Sequence, residues 1–259
     1  MTDVSVQSAS APLAVQQPRT AMSPLINPSR LAAIEKISLK RGSHYKNLNL
    51  NACAMEAVAY LAGEPWSDSP ACVCPVIATF VRSWNDSFLS DAERDRLLKG
   101  LIPEMVGTRN SIAVEKRRSL LAVDWLIRIH TPAWLRLAKL NEHAKLLEAL
   151  PELTDFAQCE SLVRVLKEVK KDAAAAWAAA GAAACNATAA WAAARAAAGA
   201  AACNAACNAT AAGDAAWDAA WAASGAASAA GDALAPTVTF LQDSAVALVR
   251  RMIAVAEPL

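Results

Sequence analysis

No Asn-Gly or Asp-Gly pair occurs in the 259 residues, and no segment alternates apolar and polar side chains, so tight β-hairpins and half-buried strands have no support. Net charge is nearly absent as well. The 25 Lys and Arg face 24 Asp and Glu, which removes bulk positive charge as a reason to expect nucleic acid or an anionic membrane surface. Histidine is scarce, with three residues, and there is no GxxxxGK[ST], GxGxxG, HExxH or GxSxG pattern. Phosphate cradles, zinc-peptidase helices and hydrolase elbows are therefore unsupported, and no cofactor is expected. The first 27 residues lack a basic start followed by an apolar run, so no secretory leader is expected. Seven cysteines form no compact framework in a chain long enough to build a core without disulfides, which points to reduced thiols in a cytoplasm.

What the chain has in excess is alanine: 64 residues, 39 of them between positions 173 and 235. Alanine is the best helix former, so this stretch predicts helix even with scattered glycines. The residues that interrupt it carry the pattern. From Trp177 through Gly181, Cys185, Thr188 and Trp191 to Gly231, fifteen steps of three or four residues cover 54 positions, a mean of 3.6. That is the α-helical period, so the interruptions form one straight stripe opposite a face of nearly bare alanine. A hairpin has no reason to keep this phase, and one helix over 155–232 is expected, roughly 115 Å long. Duplication of the unit AAAGAAACNA, found at 178–187 and 196–205, would keep the same phase. A bare alanine face allows close helix approach, and Trp177, Trp191, Trp217 and Trp221 offer anchors, so a homo-oligomer or a protein partner is expected. The uncharged run 173–194 is long enough to span a bilayer but has no Leu, Ile, Phe or Val, and insertion is not expected.

The rest of the chain reads as short helices. Residues 1–27 are polar, aperiodic and expected to be disordered. Ser29 is placed to cap a helix over 30–40, and Asn51 to cap one over 52–62 that Gly63 ends. Pro75 suits the first turn of a helix to about Phe88, and Ser90 with Glu93 reads as a capping box for a helix closed by Gly100. A longer helix is expected over 111–130, with Arg117, Asp124 and Arg128 on one face, and two short ones from Thr131-Pro132 and Asn141. After Pro236, Val238, Leu241, Ala245, Leu248, Met252 and Val255 step 3-4-3-4-3, a seam for docking onto the bundle. The expected fold is all-α: a disordered tail at 1–27, a helical bundle at 28–154, a long alanine-rich helix at 155–235 and a C-terminal amphipathic helix at 236–259.

For chemistry, the candidate catalytic residues are Cys53, Glu56, His44 and His130. A thiol at a helix N-terminus gains thiolate character, and a nearby histidine could act as its base. The competing reading is a small buried hydrophobe. Cys72/Cys74 and Cys203/Cys207 have half-site spacing for a metal but no second pair, and His143 stands alone, so no metal site is expected. The basic clusters at 115–119 and 164–171 are diluted by carboxylates and read as solvated faces. Thr188 and Thr210 resemble the threonine spacing of alanine-rich antifreeze helices, but Gly199 stands between them and Trp and Arg interrupt the face.

The stretches CAMEAVAYLAGEPWSD, VGTRNSIAVEKRRSLLAVDWLIRIHTPAWL and LAPTVTFLQDSAVALVRRMI resemble a group of uncharacterised bacterial or phage proteins with alanine- and tryptophan-rich tails. That resemblance implies no activity. The leading expectation is a non-enzymatic helical interaction protein. The alternatives are a cysteine-dependent enzyme or redox sensor using Cys53, and a nucleic-acid-associated adaptor.

Overall fold

The computed structural model describes residues 26–45, 51–88, 90–179 and 234–256. Among them 70% are helical and none lies in a strand, as the missing hairpin signals imply. The helices are α1 Pro28–Lys36, α2 Ala54–Ala62, α3 Pro75–Ser87, α4 Asp91–Leu98, α5 Ile102–Met105, α6 Ile112–Trp125, α7 Thr131–Leu137, α8 Asn141–Glu148, α9 Ala157–Ala179 and α10 Ala235–Ile253. A tight 3-10 turn, Lys99–Leu101, joins α4 to α5, and a π-helical turn, Leu126–His130, joins α6 to α7.

Several boundaries differ from the sequence reading for identifiable reasons. Asn27, not Ser29, caps α1, because Pro28 fills the first helical position and the Asn27 carboxamide accepts from the amides of Ser29 and Arg30. That helix stops at Lys36 rather than 40. Beyond it Leu39 bridges to Ala52, and its amide donates to Asp95 Oδ1 at 2.7 Å. Gly100 does not end α4, since the chain tightens there and runs on into α5. Ser90 does cap α4, accepting from Glu93 N, but the Glu93 carboxylate accepts from Gln242 on α10 instead of closing a box. Thr131-Pro132 begins α7 as expected, but with no break after the π-turn. Its missing donor is absorbed by the π-turn, where the Thr131 amide reaches back five residues to Leu126 O and the Thr131 hydroxyl donates to the same oxygen at 2.8 Å.

Gly63 ends α2 as expected, with φ +79°, its amide on Tyr60 O and the Glu64 amide on Ala59 O. A Cβ there would also sit 2.8 Å from the Arg30 guanidinium, which donates to Tyr60 O and lies over the Tyr60 ring. Helix α7 ends in the same hydrogen-bond pattern, Lys139 N to Arg136 O and Leu140 N to Leu135 O, but the left-handed position is held by Lys139 at φ +64°.

The core gathers Met55, Leu61, Ile77, Phe80, Trp84, Trp125 and Trp134 with the inner faces of α9 and α10. Helix α10 is central, touching α3, α4, α5, α6 and α7. Five of its six seam residues, Val238, Leu241, Ala245, Leu248 and Met252, are buried; Val255 lies past the helix end and is half-buried. Two buried arginines fasten the loops. Arg94 donates to Leu39 O, Asn85 O and Phe88 O, and Arg118 to Met252 O, Thr108 O and Val255 O. The 115–119 cluster is thus only partly a solvated face: Arg118 belongs to the interior. Leu162, Leu166, Val169 and Ala173 bury one side of α9 in the same core. The continuous helix expected beyond Ala179 lies outside the described residues, as do Trp191, Trp217 and Trp221 and the side chain of Trp177.

Candidate functional site

Cys53, Glu56 and His44 come together at the N-terminus of α2. Cys53 rather than Asn51 is the cap residue: its Sγ accepts from the Glu56 amide at 3.4 Å, and Glu56 Oε2 accepts from the Cys53 amide at 2.7 Å. The same carboxylate holds the preceding loop. Glu56 Oε1 accepts from the His44 amide at 2.5 Å, and Oε2 lies 3.0 Å from His44 Nδ1. An ionised carboxylate only accepts, so in that contact the imidazole donates from Nδ1. The indole of Trp66 donates to His44 O at 2.8 Å, and the Ala54 amide donates to Asn85 Oδ1. Loop, helix and α3 are thereby tied at one point.

The thiol in this cluster is poorly suited to attack. Cys53 is 1% exposed, and burial pushes its pKa up to about 12, assisted by the neighbouring Glu56 carboxylate. The gain in thiolate character expected of a cysteine at a helix start is outweighed by desolvation. Glu56 is likewise 1% exposed, whereas the His44 side chain keeps 17% of its surface.

His130 is elsewhere. It sits in the π-turn between Trp125 and Trp134, fully buried, and burial alone pulls its pKa down to about 3. Cys74 precedes α3 and is buried; Cys72 is half-buried, and burial raises its pKa too. His143 is not alone, since its Nε2 lies 2.8 Å from Asp172 Oδ2 and links α8 to α9, a pairing hidden by 29 residues of separation. Among the described residues no group of three or more His, Cys, Asp or Glu could hold a metal ion, and Cys203 and Cys207 lie outside them. No described helix is long and apolar enough to cross a membrane. Sequence reasoning placed Asp124 on one face with Arg117 and Arg128 but missed its burial. It is fully buried, grips Arg128 through both oxygens at 2.7 and 2.9 Å and accepts from the Leu153 amide, fixing the connector before α9. Only the four-residue Asp124/Arg128 spacing signalled it.

Compared with protein-family models, curated proteins and solved structures, the chain finds no match.

Proposed function

We propose that the bundle is a non-enzymatic cytoplasmic scaffold whose alanine-rich segment associates with a second copy of the chain. One observation carries the non-enzymatic half: the residues best suited to chemistry, Cys53 and Glu56, spend their polar groups on closing a helix start and a loop. A side chain with its hydrogen-bonding capacity used inside the fold has little left for a substrate. The associating half rests on the straight stripe with its four tryptophans and the bare face opposite. Static light scattering tests it. The full chain should run well above the 27.1 kDa of one copy, and replacing the four tryptophans by alanine should return it toward that mass. A strictly monomeric protein that also captures no partner overturns the reading.

The contiguity of Cys53, Glu56 and His44 favours a second reading, a cysteine-dependent activity. It requires Cys53 to be alkylated in the native state at neutral pH; a thiol that resists until the protein unfolds removes it.

A further inference from the structure

Where α7 meets the start of α10 there is a cleft of about 560 Å3, within the range that small ligands occupy. Ile129 of the π-turn with Ala133 and Leu137 of α7 forms one wall, and Phe240, 54% exposed, lines it from α10. Three cations and one carboxylate stand on its lining. Arg128 is engaged by Asp124 through both oxygens, and Arg136 by Glu148 at 3.1 and 2.5 Å. Lys139 has no ion pair or side-chain hydrogen bond among the described residues, so the cleft keeps one unneutralised positive charge. Lys139 is also the one described non-glycine residue with positive φ. Glycine fills that position at the end of α2 without steric cost, so at the end of α7 a charged side chain is carried to the cleft against the backbone preference.

We infer that this cleft binds a single-chain apolar carboxylate, with the chain against Ile129, Ala133, Leu137 and Phe240 and the carboxylate on Lys139. An apolar trough supplies area-dependent affinity without selectivity for a head group; the lone ammonium supplies the selectivity. Calorimetric titration of the full chain with dodecanoate, against dodecyltrimethylammonium of equal chain length, tests the assignment. Dodecanoate should saturate one site per chain and bind about tenfold or more tighter than the cation. Lys139→Gly should lose about tenfold or more in dodecanoate affinity while melting no lower than the parent, because glycine relaxes the left-handed position. Ala133→Trp should block the cleft. Equal binding of the two amphiphiles, undiminished affinity in Lys139→Gly, or no binding to the parent protein each overturns the inference. A silent parent whose dimer is dispersed by Phe240→Asp would instead give the cleft to a second copy.

Discussion

The indole of Trp134 donates its Nε1 proton to Nε2 of His130 at 3.1 Å. Indole nitrogen only donates, so the imidazole is held with its own proton on Nδ1, where no described group accepts it. The π-turn thus carries a neutral histidine with one buried, unmatched N–H, between two tryptophan rings.

This arrangement makes stability depend on pH in a defined window. In the folded protein His130 stays neutral down to about 3, while in the unfolded chain it takes up a proton below its ordinary value of 6.5. The unfolded state therefore binds the extra proton between those limits, and stability falls by about 1.4 kcal/mol for each pH unit below 6.5 from this residue. Chemical denaturation at pH 7 and pH 5 should show the loss, and His130→Phe should flatten it. At pH 7 the same variant should change stability little, since it removes one unmatched N–H and orphans that of Trp134.

Cysteine labelling should be graded by burial. Iodoacetamide at pH 8 should modify Cys72 slowly and leave Cys53 and Cys74 untouched until denaturant is added, read by peptide mass spectrometry. Rapid native labelling of Cys53 would contradict its desolvated setting.

Glu56→Gln replaces an all-acceptor group with an amide whose NH2 must face one of three donors, the amides of His44 and Cys53 or His44 Nδ1. A cost of about 2 kcal/mol in urea unfolding is expected. Cys53→Ser should be milder, within about 1 kcal/mol of the parent, because serine caps a helix start at least as well.

Arg118→Met should cost about 3 kcal/mol, because the carbonyls of Thr108, Met252 and Val255, on two segments, each lose a donor together, the first two of them buried. Arg118→Lys should recover only part of it, since an ammonium lacks the planar fork that reaches Thr108, Met252 and Val255. The urea midpoint, with an unchanged slope, is the measurement.

Features written in neighbouring residues were legible in the sequence. Gly63 as a helix end, Pro75 as a helix start and the 3-4 seam of α10 are local or periodic signals, and each stands in the structure. Cys53, Glu56 and His44 lie within 12 residues of one another, so their proximity was legible, but the partner of His44 is Glu56 rather than the thiol. What escaped was decided at long range. Arg118 reads as one basic residue among several until Met252 and Val255 approach it, and His143 reads as isolated until Asp172 does. The π-turn was invisible because Thr131-Pro132 carries the same local signal whether it starts a helix or is threaded through one.

Arg118 and Met252 are joined across 134 residues, and α10 lies against five other helices. Helices α3 to α7 therefore complete their shared core only with a strand of sequence very distant from their own. Folding of this otherwise local, helical protein should be set by that late encounter, placing it among slow folders despite its helical content. Until α10 docks, the apolar faces it covers are exposed to other chains, so refolding yield should fall as protein concentration rises.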